Sequence, residues 1–569
     1  MEQLLANARA ALLAERAPGG FWVGELSPSA LSTATAIFTF KLSGKSEHEP
    51  QIRAGIAWLI ANQNRDGGWG DTPISFSNIS TTCLCWTALG NDNPLSATRA
   101  EAWIRDSAGT LEPAPLAKVI ADRYGEDRTF SVPILTMLAL AGKLGEDPWR
   151  LIPQLPFELA ALPFWFFRIV QLPVVSYALP ALIAIGQVRH AHRPTWNPLL
   201  RAVRWWVKRR TLRKLREIQP GTGGYLEATP LTSFVAMSLI GAGQADHAVV
   251  EEGLRFLVES VRPDGSWPID TNLTTWVTTL AMNALGGVED PAPVRAWLLH
   301  QQYGEVHPFT HAAPGGWAWT DLPGGVPDAD DTASALLALR IFGEPDDNAL
   351  SAAAAGVDWL LNLQNRDGGI PTFCKGWTGL PFDRSSNDLT AHALRAWLAW
   401  RDLLPTALRH RIDLGVKRGI GYLMETQRPD GAWAPLWFGN QHAVEIENLT
   451  YGTSRVLRLS CALPKGAFDR GIGWLIANQN PDGGWGGRAG TPSSIEETAV
   501  ALDALAEMTP SAALERGVEF LRIATRDGTH FPPSPIGFYF ANLWYYEKLY
   551  PIIFTVAALS RIANLKLGI

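Results

Sequence analysis

Three carboxylates stand within four positions at Asp328, Asp330 and Asp331, where Pro327-Asp-Ala-Asp-Asp-Thr332 opens the helical pattern Thr332-Ala-Ser-Ala-Leu-Leu-Ala-Leu. Carboxylates this crowded do not all ionise together, so at least one keeps its proton near neutral pH. The chain around them carries 24 tryptophans. A retained carboxylic acid among aromatic faces suits protonation of a hydrocarbon, because ring quadrupoles stabilise the resulting cation without attacking it. Helix capping is the competing account. Asp ahead of an apolar run is a good N-cap, and acidic residues in the first turn complement the helix dipole. A helix has one N-cap, however, and three carboxylates exceed what capping requires.

The elements that position this cluster are written in a degenerate repeat. Its fullest copies are Ala57-Trp-Leu-Ile-Ala-Asn-Gln63-Asn-Arg-Asp-Gly-Gly-Trp69 and Gly473-Trp-Leu-Ile-Ala-Asn-Gln479-Asn-Pro-Asp-Gly-Gly-Trp485. Weaker copies run at Arg262–Trp267, Gln364–Ile370 and Gln427–Trp433. In the fuller copies an amphipathic helix ends in Gln, an Asp-Gly turn follows, and a Trp packs back. Asp-Gly supplies a turn with positive φ at low cost. Gln satisfies backbone groups left open at a helix end, and Trp adds a large apolar face with one donor. Such units tie helix to helix in stacked helical architectures. Strand-like alternation is scarce, so the expected fold is all-α, built of helical hairpins closing into barrels.

At 569 residues the chain exceeds one ordinary core, and two or more domains are expected. A net charge of −6 and a pI near 6.0 exclude a nucleic-acid partner from the expectations. The four cysteines, Cys83, Cys85, Cys374 and Cys461, lack metal-finger spacing and fit a reducing compartment. The N-terminal pattern is amphipathic rather than that of a signal peptide, which places the protein on the cytoplasmic side.

Two segments bear on membranes. Residues 169–188 carry no charge but contain Pro173 and Pro180, which suits a buried or membrane-dipping helix pair better than a clean span. After them Arg201, Arg204, Lys208, Arg209, Arg210, Arg213, Lys214 and Arg216 run with Trp205 and Trp206 between. That is the pattern of a helix lying in a lipid interface, or of a solvated helix whose tryptophans enter the core.

The repeats together with Asp328-Ala-Asp330-Asp331-Thr332 resemble the squalene–hopene cyclase family of class II triterpene cyclases, with its Gln-Trp repeats and DxDD acid motif. The likeness runs from Gly20-Phe-Trp22 to Phe531 and Tyr546. It implies two α/α-barrel domains, an α6-α6 barrel from residues 1–18 plus 268–569 and a second barrel, 19–267, inserted in it. It further implies that Asp330 protonates a terminal alkene, flanked by Asp328 and Asp331, and that His392 hydrogen-bonds the acid. Asp388 lies four residues before His392, on one helical face, and is expected to hold the imidazole cationic. Trp319, Trp437, Tyr451, Phe531, Tyr539 and Tyr546 are implied as cation-stabilising lining. No metal and no cofactor are implied.

Departures from the family pattern concern the product. Ser32–Thr35 lack a carboxylate usual near the acid, and Phe373 and Leu543 stand where tyrosines are usual. The stretch from Trp437 to Tyr451 is longer and brings in His442, Glu445 and Glu447, as a surface excursion or as a contact to a polar substrate end. Epoxide-opening relatives carry Cys after the central Asp; here Asp331 follows Asp330, which points to an unactivated alkene. The implied activity is cyclisation of squalene or a close linear triterpene to a hopene-like polycycle. The alternatives are a cyclase of a shorter prenyl chain or prenyl diphosphate, a prenyltransferase-like subunit, and a non-catalytic isoprenoid-binding protein. Expected partners are a linear isoprenoid hydrocarbon, the cytoplasmic face of a membrane as for a monotopic protein, and a second copy of the chain in a homodimer.

Overall fold

A computed structural model describes residues 1–567 except 126, 171, 173, 507–510, 540 and 541. Helices dominate, with two short antiparallel pairs, Pro28–Ser29 with Trp267–Pro268 and Gly537–Tyr539 with Leu543–Tyr545. In chain order the helices used below are α1 (Glu2–Ala14), α2 (Ala30–Ser43), α3 (Ile79–Leu89), α4 (Ser131–Leu140), α5 (Val174–His192), α6 (Pro198–Glu217) and α7 (Thr229–Gly241). They continue as α8 (Thr274–Leu285), α9 (Ala329–Arg340), α10 (Asn387–Trp400), α11 (Leu449–Leu457), α12 (Ile495–Leu505) and α13 (Tyr550–Leu567).

Two closed rings of inner helices organise the chain. In the larger, α8 packs on α9, α9 on α10, and so on through α13, which returns to α8. In the smaller, α2, α3, α4, α5 and α7 close in the same way. Inner helices are apolar all round because both faces are covered: every described residue of α3, α8 and α12 is buried except Asn283. The N-terminal α1 packs against α13, at the far end of the chain.

The repeated turn is what spaces the helices. In the copies that carry Gln, its Nε2 donates twice, once to its own turn and once into the next outer helix. Gln63 reaches Gly67 O and Ser96 O at 2.7 and 3.0 Å, Gln427 reaches Gly431 O and Ala467 O, and Gln479 reaches Gly483 O and Ala513 O. The Trp indole then donates to a carbonyl ten residues earlier, as from Trp69 to Leu59 and Trp485 to Leu475, both 2.8 Å. Two further units carry the same bonds with altered spelling: Gln219–Tyr225, and Gln302 with Trp317.

The charge-free stretch near 180 forms α5, an inner helix of the smaller ring with Leu179 and Ile183 buried, which accounts for its lack of charge. Among the described residues no helix is long and apolar enough to cross a membrane. On α6, Trp205 and Trp206 are 80% and 73% exposed, so their packing into the core is excluded. Arg204 is the exception in the basic run, buried in a bidentate pair with Glu158 at 3.0 Å.

The turn glycine tolerates no side chain. Gly483 has φ +88°, and a Cβ there would stand 2.7 Å from Arg516 O; Gly67 and Gly431 repeat this against Arg99 O and Arg470 O. Gly483→Ala is expected to cost more than about 1 kcal/mol, read as a lowered urea midpoint.

Candidate active site

The site is built by one hydrogen bond repeated around the larger ring. A threonine hydroxyl near the start of an inner helix accepts the backbone N–H of a turn residue. The pairs are Trp22 with Thr278, Trp317 with Thr332, Ile370 with Thr390, Trp433 with Thr453 and Trp485 with Thr498, all at 2.9–3.0 Å. This sets the axial position of each helix. The residue two places before each threonine is Trp276, Asp330, Asp388, Tyr451 or Glu496. The first four line a single cavity of about 230 Å³ along the ring interior.

Asp328 caps α9: its Oδ1 accepts from Asp330 N and Asp331 N, both at 2.9 Å. Capping is therefore real and occupies one carboxylate, leaving two. Burial pushes Asp328 up to about 7, with the Asp330 charge adding to it and hydrogen bonds to Asp331 opposing it. Burial, then the Asp328 and Asp330 charges, drive Asp331 well above the carboxylate range. Both Asp328 and Asp331 are thus shifted towards the protonated form. Asp330 is the less buried of the three and lines two cavities. His392 Nδ1 lies 2.5 Å from its Oδ1.

The expected Asp388–His392 pair does not form. Asp388, near the start of α10, takes a hydrogen bond from the Ser386 hydroxyl, and burial with the Asp330 charge pushes it up to about 6. Burial lowers His392; Asp330 opposes that, while Arg395 and Arg455 add to it. His392 is thus paired with Asp330 and not with Asp388.

The second cavity at Asp330, about 90 Å³, is aromatic. Trp276, Trp319, Phe373 and Trp437 line it with Tyr545 and Tyr550. Trp437 Nε1 is tied to Thr372 Oγ1 at 2.8 Å, and its ring meets Phe373 edge-on. Tyr451 belongs to the larger cavity and stacks on Phe438 at 4.1 Å. Phe531 packs against the hydrophobic core and Tyr546 lies near Arg262 and Glu25; neither lines either cavity. The Tyr539 side chain lies outside the described ones. Strand alternation explains the exchange of Tyr546 for Tyr545: adjacent residues face opposite ways. Trp276 has a signal in the sequence, its place two residues before Thr278.

The wall of the aromatic cavity is anchored to the smaller ring. Tyr177 of α5 donates to Phe373 O at 3.1 Å, and the exposed Trp377 donates to Val170 O at 3.2 Å. The 437–451 excursion packs elsewhere. His442 meets Phe76 edge-on at 4.8 Å, Gln441 accepts from Phe76 N, and Glu447 pairs with Arg428. His442, Glu445 and Glu447 line neither cavity.

Glu496 and Glu497 escaped the sequence reading. Burial and the neighbouring Glu497 push Glu496 up to about 8, and burial pushes Glu497 up to about 7. Ser534 N donates to Glu496 at 2.7 Å, while its Oε2 has no partner among the described residues. A carboxylate raised above its unfolded value of about 4.3 contributes stability below that value and loses it as pH rises through the folded one. Glu496→Gln is therefore expected to raise the melting temperature over wild type at about pH 9, with the gain gone by about pH 4.

Against known proteins, residues 5–179 match the family model described as the squalene-hopene cyclase N-terminal domain and residues 273–564 that of the C-terminal domain. The chain is 27% identical to enfumafungin synthase of Hormonema carpetanum over 93% of its length, and spans 45% of that protein. It thus covers just under half of the first curated relatives it matches. It is 24% identical to a probable squalene–hopene cyclase of Sinorhizobium fredii, over 100% of this chain and 97% of that one. It is 25% identical to copalyl diphosphate synthase of Streptomyces cyslabdanicus, over 93% and 89%. The solved ent-copalyl diphosphate synthase from Streptomyces platensis shares the fold, with a TM-score of 0.55 at 18% identity over 99% of this chain and 100% of that one.

Proposed function

The chain belongs to the squalene–hopene cyclase family of class II terpene cyclases, and we propose that it protonates the terminal alkene of squalene or a close linear triterpene and guides the cation to a polycyclic product. The observation that carries this is the place of Asp330, at the junction of a polar and an aromatic cavity with one oxygen held by His392.

The residues divide the work. Asp330 delivers its proton into the aromatic cavity. The His392 Nδ1–H stabilises the carboxylate as it forms, since hydrogen bonds to an ionised acceptor are the stronger kind. Asp328 and Asp331, shifted towards the protonated form, add less negative charge beside it than two free carboxylates. Trp276, Trp319, Phe373 and Trp437 then face the cation, each contact contributing on the order of 0.5–2 kcal/mol. A folded chain held among these rings reacts without the entropy cost of finding its own conformation.

Two observations support delivery from a lipid surface on the cytoplasmic face. Trp196, Leu199, Trp205 and Trp206 are exposed on or just before basic α6, and Trp165, Ile169 and Trp377 are exposed as well. Indoles among cations suit a headgroup boundary. Trp205→Glu with Trp206→Glu is expected to weaken sedimentation with anionic vesicles while leaving the melting temperature unchanged. The division into 1–18 plus 268–569 and 19–267 belongs to the same reading, supported by α1 against α13 and by the pairing at Pro268.

The second reading, a shorter prenyl chain or prenyl diphosphate, draws on the relative named copalyl diphosphate synthase. One experiment separates the two. Purified protein in detergent is incubated with squalene, without added metal, beside Asp330→Asn, and products are read by gas chromatography–mass spectrometry. A cyclic isomer or its hydrated alcohol is expected, reduced about 10²–10⁴-fold in the variant. Untouched squalene with turnover of geranylgeranyl diphosphate and Mg²⁺ selects the second reading. Turnover of neither leaves isoprenoid binding alone.

A further inference from the structure

The threonine register that gathers Trp276, Asp330, Asp388 and Tyr451 also fixes what lies deeper in the larger ring. Seven residues make almost two helical turns, so the residue seven places on faces the same way, about 10 Å further along the axis. Counting on from the five register residues gives Asn283, Leu337, Arg395, Arg458 and Asp503, and all five line the larger cavity. Arg455, one turn past Tyr451, lines it between the two layers. The cavity thus passes from the carboxyls of Asp330 and Asp388 to a deeper end that holds three arginines and one aspartate.

The charges at that end do not balance. Arg458 pairs with Asp503. Among the described residues no carboxylate lies within ion-pair distance of Arg395 or Arg455, and Arg395 makes no hydrogen bond. The buried Nη2 of Arg455 and the buried Nε of Arg458 have no partner. Arg455 is held from two sides, its Cζ 4.8 Å from the Tyr451 ring centroid and 5.0 Å from that of Phe554. Burial alone would raise Asp503, yet Arg458, Arg561, Arg455 and Arg395 together hold it below the usual carboxylate range, so several cations crowd one carboxylate. Asp330, a layer away, is engaged by His392. An unpaired charge in an interior is costly, and a guanidinium cannot relieve the cost by shedding its proton.

We propose that the deeper end of this cavity is a binding site for an oxyanion of the phosphate class, held by the guanidiniums of Arg395 and Arg455 and the unpartnered Nε–H of Arg458. Planar N–H forks match the spaced oxygens of such an anion, and hydrogen bonds between charged partners are the strong kind. The aromatic clamp keeps one fork in place before the anion arrives, which lowers the entropy cost of binding. Free phosphate or diphosphate and the diphosphate head of a prenyl chain carry the same chemistry. The site does not depend on the reaction assigned to Asp330.

The test is calorimetric titration of the full chain in detergent with inorganic phosphate, inorganic diphosphate and geranylgeranyl diphosphate, at constant ionic strength in chloride. Wild type is expected to bind inorganic diphosphate at one site and to melt at a higher temperature as that site fills. Arg395→Met with Arg455→Met is expected to weaken binding about tenfold or more. With two unpaired cations gone, it is expected to melt no lower than wild type in phosphate-free buffer. The double variant leaves basic α6 intact, so an anion that merely collects on that surface survives it. Arg455→Lys keeps the charge and loses the fork; it is expected to weaken binding by less, and serves if the double variant does not fold. Geranylgeranyl diphosphate that binds more tightly than inorganic diphosphate, and loses that affinity in the same variants, marks a prenyl head as the occupant, whereas binding no tighter marks the free anion. Binding of none of the three by wild type, or an affinity unchanged in every variant that folds, overturns the proposal. No turnover is needed, so failure to convert squalene counts against the reaction assigned above and not against this site.

Discussion

The backbone N–H to threonine hydroxyl bond is the constraint on which the site depends. It is short-range and modest, about 1 kcal/mol for a buried hydrogen bond, yet it recurs in five of the six helices of the larger ring. Each bond fixes how far its helix slides along the ring axis. With the slide fixed, residues of very different chemistry at one register must meet. Trp276, Asp330, Asp388 and Tyr451 do meet, around one cavity. The geometry of the site is a by-product of repeat geometry, with two copies given an aspartate, two an aromatic and one a glutamate.

The electrostatics follow from that crowding. Asp328, Asp331 and Asp388 are buried together near the starts of neighbouring helices, and all are pushed upward. Helix N-termini partly offset the cost, since their N–H groups favour nearby negative charge. Burial thus strengthens the hold of these carboxyls on their protons. The aromatic cavity is lined by no Lys, Arg or His; beside its three aspartates and Thr372 it offers a cation mainly aromatic faces.

Much of this was legible in the chain. Trp69 and Trp485 at matched spacing announced stacked helices, and the Asp328–Asp331 cluster marked the carboxylates that the structure buries at the start of α9. Asp388 and His392 lie four apart, which put them on one face; the structure shows that a shared face is not a shared bond, because Ser386 is closer to hand for Asp388. Tyr225 stands in the place of a Trp in its unit, so a pattern keyed to Trp passed over it. Glu496 was silent for another reason. Its significance comes from Ser534, far off in sequence, and no local pattern separates a buried glutamate from a surface one.

The bonds from Tyr177 to Phe373 and from Trp377 to Val170 have a mechanical consequence. One short strand of chain carries Thr372 and Phe373, which wall the reaction chamber, and five residues on Trp377, which stands out at the surface beside the other exposed aromatics. Chamber wall and exposed indole are therefore on a single piece of backbone, pinned at one point to α5 and at another to the chain just ahead of it. Any widening that admits a long chain must carry those pins along or shear them. The position of the chamber wall then answers to whatever moves Tyr177 or Val170.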